Sequence, residues 1–381
     1  MFELSGEQKM LAETIGGIAE THFRPTALKW DQTCTPPVEN IRILADHGFL
    51  GITVPEEYGG LGASTVDLVL VVEKVAQSCP NSAMVVGCFD GATPRVIAAL
   101  GSEEQKQRYL PKFVTGECLP VWGMSEPNAG SDVGGMTTRA VKKGDRYILN
   151  GSKIWCSGAQ IADLALVFAK LSDEPGLKGV GALLVETRSK GFSVGDHIEM
   201  MGLRGTGMAE LFFNDVEVPE ENLLLKPGRM KDLLSVFNID RVATNPPICL
   251  GAAQAAFEAA VAYMQERQQF GRKLSDFQGL QWRVADMAIE LAAARNLLYQ
   301  AAASFDRGQG TGLDASIVKT FLNEVSVRVT NSAVQVMGAM GLTRESVPQR
   351  MYRDVRGMSF GYGTTEVQRN MIARDIFGGA R

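Results

Sequence analysis

Two changes of hydrophobic period divide this chain and constrain what it can fold into. From residue 6 to about 115, apolar residues recur at three- and four-residue spacing, as at Leu11, Ile15, Ile18 and Ala19, which puts them on one helical face. Val66 to Val75 and Pro94 to Leu100 behave alike, separated by turns rich in Gly and Pro. Between about 120 and 225 the texture shortens. Tyr147-Ile148-Leu149, Leu164 to Ala169 and Val180 to Val185 are bounded by Gly, Asp, Asn and Pro, as the strands of a small barrel would be. From 230 onward long helical patterns return over Leu250 to Gln268, Gly279 to Arg307 and Asp314 to Gly338. Alanines between 250 and 305 favour helix and permit close packing. The expected fold is mainly α with a central β-barrel, in the order α–β–α, closing on an antiparallel helical bundle. At 381 residues the chain exceeds one ordinary core, and the units expected are 1–118, 119–228 and 229–381.

Composition excludes several classes. The net charge of −5 argues against general nucleic-acid affinity, which clustered Lys and Arg would supply. No run of about 18 uncharged apolar residues marks a membrane span. The acidic start, Met-Phe-Glu-Leu-Ser-Gly-Glu-Gln, reads as neither a signal nor a transit peptide. Six cysteines, at 34, 79, 88, 118, 156 and 249, lack metal-ligand or disulfide spacing and read as reduced thiols of a cytoplasmic protein. His22, His47 and His197 are scattered, so neither a metal site nor a catalytic triad is expected.

The most informative segment is Trp122 to Val133. Gly123, Ala129 and Gly130 let backbone approach a flat ligand closely, and Ser125 and Ser131 bring short hydroxyls that donate and accept. Trp122 can pack against a ring system. Alone, the segment reads equally well as a surface loop. With its company it resembles the flavin-and-substrate loop of the acyl-CoA dehydrogenase family. Pro55 to Gly62, Gly101 to Lys106 with Tyr109-Leu110-Pro111, and Asn150 to Ser157 follow that family's order. So do Met201 to Gly205, Phe213 to Pro219, Arg267 to Arg272, Gln335 to Gly338 and Gly363 to Arg369.

The chain has no Gly-x-Gly-x-x-Gly after a strand, which disfavours a Rossmann-type site. The resemblance implies instead an FAD held between barrel and bundle, partly across a subunit interface. It places Trp122, Met124, Ser125, Trp155 and Ser157 on the flavin, with Trp155 against the ring. Ser157 stands where the family usually has Thr. Arg267 and Phe270 would meet the pyrophosphate and adenine end in a neighbouring subunit, with Gln335 and Gly338 nearby. Thr364 and Glu366 complete the cofactor set. The resemblance also implies an acyl-CoA substrate, an electron-transferring flavoprotein as partner and a homotetramer.

The family reaction removes a proton α to a thioester while a β hydride passes to the flavin. Such a C–H is a poor acid, so a carboxylate must touch it and donors must polarise the thioester oxygen. The family's commonest base is a Glu just before the Gly-Thr of the C-terminal motif; this chain has Tyr362 there. Two carboxylates are candidates in its stead. Asp240, before Arg241, stands where isovaleryl-type members carry a Glu, and reads otherwise as one half of an Asp–Arg pair or a helix cap. Asp90, among Val85, Val86, Cys88 and Phe89, resembles the pocket Asp of cyclohexene-carboxyl-CoA dehydrogenases, and reads otherwise as a cap of the next helix. Arg241 is expected to orient the thioester or acyl group, Ser131 to meet the pantetheine, and Tyr362 to face the substrate.

The leading expectation is therefore FAD-dependent dehydrogenation of a branched or alicyclic acyl-CoA with a displaced Asp base. One alternative keeps the flavin but does non-redox chemistry, as sulfinopropionyl-CoA desulfinases do. Those carry a pocket Arg ahead of the Gly-Ser-Glu-Glu-Gln segment, and no Arg lies between Lys74 and Arg95. The other alternative is a flavoprotein without turnover.

Overall fold

Short polar side chains start the helices where backbone N–H groups would otherwise lack partners. Ser5 with Gln8, Ser64 with Asp67, Ser102 with Gln105 and Thr311 with Asp314 each form a reciprocal capping box. The computed structural model describes residues 2–378, and the side chains of Cys88, Phe89 and Asp90 lie outside the described residues.

The N-terminal helices are α1 (Gly6–Ile18), α2 (Ala27–Thr33), α3 (Val38–Asp46), α4 (Thr65–Ser78), α5 (Pro80–Val86), α6 (Thr93–Leu100) and α7 (Glu103–Val114), with a π-helical turn over Gly87–Ala92 between α5 and α6. Strands follow: β1 (Pro120–Gly123), β2 (Arg139–Lys143), β3 (Arg146–Cys156), β4 (Leu164–Lys170), β5 (Val180–Glu186), β6 (Phe192–Val194), β7 (Ala209–Pro219) and β8 (Leu223–Leu225). The chain ends in α8 (Met230–Ala243), α9 (Asn245–Glu266), a hairpin of β9 (Gln268–Gln269) and β10 (Arg272–Lys273), α10 (Gln278–Asp306), α11 (Gly312–Met337), α12 (Val347–Met358) and α13 (Thr365–Ile376).

The two helical groups share one core. Ile15, Phe23, Leu68 and Val72 from the N-terminal side join Ile248, Leu298, Val325 and Met351 from the C-terminal side in a single buried cluster. At its centre α4 crosses α9 at Gly251, where a Cβ would lie 2.3 Å from the Glu73 carbonyl oxygen and 2.8 Å from Ala76 Cβ. Only a residue without a side chain permits that approach. A buried polar link reinforces it: Glu73 accepts from Arg295 Nη2 at 2.8 Å and from the Tyr299 hydroxyl at 2.6 Å, which ties α4 to α10. The stretch Met230–Glu266 is long and apolar enough by composition to cross a membrane, but it carries the buried Asp240 and Arg241 and packs into this core.

The central sheet is open, which corrects the expected closed barrel. Its strand order is β6-β7-β3-β2-β4-β5-β8, with β1 pairing parallel to β4. β2 and β4 meet through one register pair, Arg139 with Lys170, so the sheet folds over at that point. Leu149, Leu211, Phe213 and Val218 of one half then pack on Val121, Ala165, Val167 and Leu183 of the other. Halves packed face to face stand about 10 Å apart, roughly twice the spacing of a hydrogen-bonded ladder, so the edge strands β6 and β8 do not join. β4 is buried on both faces: Leu164, Leu166 and Phe168 turn toward the N-terminal helices, and Ala165, Val167 and Ala169 turn inward. Its unbroken apolar run follows from that.

The Gly251 crossing is testable. Gly251→Ala should lower Tm, because the backbone shift it forces costs about 1–3 kcal/mol. Gly279→Ala, whose Cβ would meet nothing within 4 Å, should be neutral or slightly stabilising in parallel thermal melts.

Candidate active site

A buried ion pair fixes the segment after β1. Lys153, on β3, has no exposed side-chain surface, and its Nζ donates to Glu126 Oε1 at 2.7 Å and to the Met124 carbonyl at 3.1 Å. Glu126 also accepts from the Thr137 N–H at 2.6 Å, the Thr137 hydroxyl at 2.8 Å and the Thr138 N–H at 2.9 Å. Burial alone would raise the Glu126 pKa; the bonds from Lys153, Thr138 and Thr137 outweigh it and hold the carboxylate down at about 2. Burial pulls the Lys153 ammonium in the opposite direction, downward, partly offset by Glu126. One pair thus ties both ends of the 124–138 loop to one strand.

The same strand presents the aromatic. Ile154 N–H donates to the Ser125 carbonyl at 2.9 Å. The next residue, Trp155, has φ 62° at a register shift between β3 and β7 and is 53% exposed. A non-glycine residue at positive φ is strained, and strain of this kind collects at functional positions. Here it leaves the indole exposed on the residue next to the one bonded to the Ser125 carbonyl. Ser157 lines a small cavity with Gly158, Ile161 and Thr206 from the sheet side and Pro36, Met84 and Val85 from the helical side. An exposed indole, short hydroxyls and a loop locked flat against the strand fit a planar ring cofactor.

Next to this lies one face of α8. Phe237, Asp240, Arg241 and Thr244 follow at three- and four-residue spacing, so they share a side of the helix. The Phe237 ring stacks between Trp122 (centroids 5.4 Å apart, 19° between planes) and Tyr362 (5.2 Å, 20°). Arg241 is buried, donates from Nη1 to Asn238 Oδ1 at 2.7 Å and from Nε to the Tyr362 carbonyl at 3.4 Å, and lies over the Phe237 ring. Tyr362 itself holds φ 59°. Asp240 is fully buried, with Oδ1 3.0 Å from Arg95 Nε. It is thus half of an Asp–Arg pair, but with an arginine from α6 and not with its neighbour Arg241. Burial raises its pKa to about 6, and Arg95 opposes that rise.

The two aspartate-bearing segments converge. A Cβ on Gly91, in the π-helical turn that carries Asp90, would stand 3.3 Å from Asp240 Oδ1 and 2.9 Å from Thr244 Oγ1. The Asp90 side chain itself lies outside the described residues. Among the described residues, the Arg95 pairing apart, neither the Asp240 oxygens nor Thr244 Oγ1 has a hydrogen-bond partner.

The remaining expected residues lie on other elements. Met124 is half-buried in the locked loop, and Ser131 is exposed on it. Thr364 caps α13 by accepting from the Val367 N–H at 3.2 Å, and Glu366 is exposed in the first turn of α13. Arg267 and Phe270 are exposed around the β9–β10 hairpin, Phe270 at φ 54° and 92% exposed, and Gln335 and Gly338 are exposed at the end of α11. No hydrogen bond or ring contact joins these four to the Ser125–Trp155 group among the described residues. Glu126, Lys153, Phe237 and Arg95 escaped the sequence reading. The available signal for Lys153 was a charge at a core-facing position of an alternating strand.

With this geometry in view, comparison with known proteins is decisive. Residues 5–117, 122–216 and 230–377 match the N-terminal, middle and C-terminal domains of the acyl-CoA dehydrogenase family. The short-chain-specific acyl-CoA dehydrogenase of Clostridium acetobutylicum is 36% identical over 377 residues, covering 99% of both chains. A 3-sulfinopropanoyl-CoA desulfinase of Cupriavidus necator is 38% identical, covering 99% of this chain and 96% of that one. The cyclohex-1-ene-1-carbonyl-CoA dehydrogenase of Syntrophus aciditrophicus is 36% identical, covering 99% and 91%. Among solved structures, butyryl-CoA dehydrogenase from Megasphaera elsdenii superimposes with a TM-score of 0.95 at 33% identity, covering 99% of this chain and all of that one. A structure reported as an electron transferring flavoprotein of Acidaminococcus fermentans gives 0.96 at 35%, with the same coverage. The chain belongs to the acyl-CoA dehydrogenase family. It is an FAD-dependent oxidoreductase acting on acyl-CoA thioesters.

The loop anchor makes a prediction. Lys153→Met leaves Glu126 buried without its cation, and breaking such a pair costs about 3–5 kcal/mol. The Glu126 value of about 2 lies below its ordinary 4.5, so its stabilisation is full above about pH 4.5 and is lost as pH falls toward 2. Denaturant melts across that window should show the wild type losing stability more steeply than Lys153→Met.

Proposed function

We propose that this chain dehydrogenates a branched or alicyclic acyl-CoA, with a displaced aspartate in place of the family's glutamate before the C-terminal Gly-Thr. The observation that carries the reading is Asp240. It is a buried carboxylate on the same helical face as Arg241 and Phe237, with Tyr362 at the position where the family carries its base. A phenol with an ordinary pKa near 10 is a poor base at neutral pH. Asp240, at about 6, is ionised there and still basic enough to take a proton from carbon. Asp90 is the second candidate, on the turn packed against it.

The remaining roles follow. Arg241, buried and hence strongly felt, orients the thioester or acyl group. Ser131 meets the pantetheine, and Tyr362 walls the acyl pocket through its stack with Phe237. Trp122, Met124, Ser125, Trp155, Ser157, Thr364 and Glu366 hold the FAD, which accepts the β hydride when bound. Arg267, Phe270, Gln335 and Gly338 serve the FAD of a neighbouring copy, as the exposed Phe270 suits, so the working state is a homotetramer. An electron-transferring flavoprotein takes the electrons onward. The enzyme works in the cytoplasm, and its three functional units are 1–118, 119–228 and 229–381.

A non-redox desulfination draws support from the 38% identity to a desulfinase. Of the two arginines at the site, Arg241 has no carboxylate partner among the described residues, whereas Arg95 faces the fully buried Asp240 at 3.0 Å. A guanidinium so paired has little charge left to grip a sulfinate.

The test is anaerobic addition of straight-chain, branched, alicyclic and sulfinopropionyl thioesters to the holoenzyme. A branched or alicyclic member should bleach the flavin's visible band. Consumption of a thioester without bleaching would establish the non-redox alternative instead. Asp240→Asn should then lower kcat by roughly 100- to 10,000-fold with unchanged flavin content. The acid limb of the wild-type kcat profile should fall near pH 6, where Asp240 takes up its proton. Full activity in Asp240→Asn and loss in Asp90→Asn would move the base to Asp90.

A further inference from the structure

α12 ends at Met358, and the chain turns through Ser359–Gly363 before α13 begins at Thr365. The last carbonyls of a helix lack partners within it. Here side chains from four other helices donate to the last α12 carbonyl and to carbonyls of the turn after it, where Ser359 also accepts from the Thr365 N–H at 3.2 Å. Asn245 Nδ2, from α9, donates to the Met358 carbonyl at 2.8 Å, and Lys319 Nζ, from α11, donates to the Ser359 carbonyl at 3.4 Å. Gln368 Nε2, from α13, donates to the Tyr362 and Gly363 carbonyls at 3.0 and 3.3 Å, and Arg241, from α8, reaches the Tyr362 carbonyl. Positive φ at Tyr362 and Gly363 accompanies these bonds.

Lys319 is the unexpected member. It is fully buried, yet no carboxylate lies within ion-pair distance of it among the described residues. Its second bond goes to Asn323 Oδ1 at 2.9 Å, and Asn323 Nδ2 donates to Asn245 Oδ1 at 2.6 Å. A relay therefore runs Lys319, Asn323, Asn245, Met358 carbonyl. The titratable groups facing the ammonium are Arg241 from α8, Cys249 from α9, a thiol that burial pushes up to about 11 and so keeps neutral, and Glu366 from α13. A buried cation without a counter-ion is costly unless its position is used. At the carbonyl end of α12 it meets the negative end of the helix dipole. A methionine would fill the same space without the desolvation cost.

We propose that Lys319 is a positioning residue for catalysis: through the Ser359 carbonyl and the Asn323–Asn245 relay it sets where the 359–363 turn stands. That turn decides how Tyr362 lies on the Phe237–Trp122 stack beside Arg241 and Asp240. The bearing on turnover rests on the reading that Tyr362 faces the acyl group; the effect on the turn does not. Burial pushes the Lys319 ammonium down to about 8, so the charge that strengthens these bonds is present at neutral pH and lost above that value.

The experiment uses full-length holoenzyme labelled with 5-fluorotryptophan, with the Trp122 fluorine resonance assigned from Trp122→Phe. In the wild type the resonance should shift with a midpoint near 8. In Lys319→Met and Lys319→Gln it should show no such midpoint and should sit near the wild-type alkaline position throughout. On any thioester the enzyme turns over, kcat should fall by up to roughly 100-fold in both variants, with loss of the alkaline limb near 8. A wild-type resonance that does not move across this range overturns the proposal, even if neither variant folds. So does a midpoint that persists unchanged in either variant. Because the fluorine signal is read without substrate, failure of every thioester to reduce the flavin would sink the assigned reaction and leave this result standing.

Discussion

The pair between Lys153 and Glu126 holds the site together, because it turns a Gly- and Ser-rich loop into a defined surface. Two buried charges are tolerable only where every lone pair and proton is used. Here Glu126 takes two backbone N–H groups and a hydroxyl besides the ammonium, while Lys153 also takes the Met124 carbonyl. A hydrophobic replacement of equal volume could keep the strand packed, but would leave the loop's backbone groups without partners. Of the residues expected to touch the flavin ring, Met124, Ser125 and Trp155 hang on the strand or the loop that this pair joins, and Trp122 on β1 leads directly into that loop.

α8 performs the same service on the substrate side. Its face carries Phe237, Asp240 and Arg241, and each is held by a different element: Trp122 from β1, Arg95 from α6, and the Tyr362 carbonyl from the turn after α12. Those elements come from all parts of the chain. Their meeting depends on the shared helical core, with α4 crossing α9 at Gly251. Buried charge recurs throughout, and in each case a second element supplies the partner. The carbonyl cradle around residues 358–363 belongs to the same pattern.

Much of the fold was legible in the sequence because it depends on local chemistry. Capping boxes and three-to-four spacing mark helices by backbone satisfaction and amphipathicity, and both are written within a few residues. The helix–strand–helix order followed from period alone. Closure of the sheet did not, because whether two edges meet depends on how its halves pack and not on any strand's own pattern. The runs at Leu164–Ala169 and Val180–Val185 held a clue: apolar on both faces, they report burial between two layers. The family, its cofactor and its thioester substrate were readable from ordered motifs spread over the chain. Arg95, Lys153 and Lys319 were not picked out, since a charged residue in an apolar pattern looks like noise until its partner is seen.

The sequence by itself determined the helix starts, the strand-rich middle and the chemical types available at the site, because these depend on neighbours along the chain. Tertiary structure alone decided that Asp240 pairs with Arg95 and not with Arg241, that Phe237 stacks between Trp122 and Tyr362, and that the Asp90 turn lies against Asp240. Each of these joins residues more than a hundred positions apart. A carboxylate's charge state and a ring's orientation are set by what surrounds them in space, and packing between distant segments creates those surroundings.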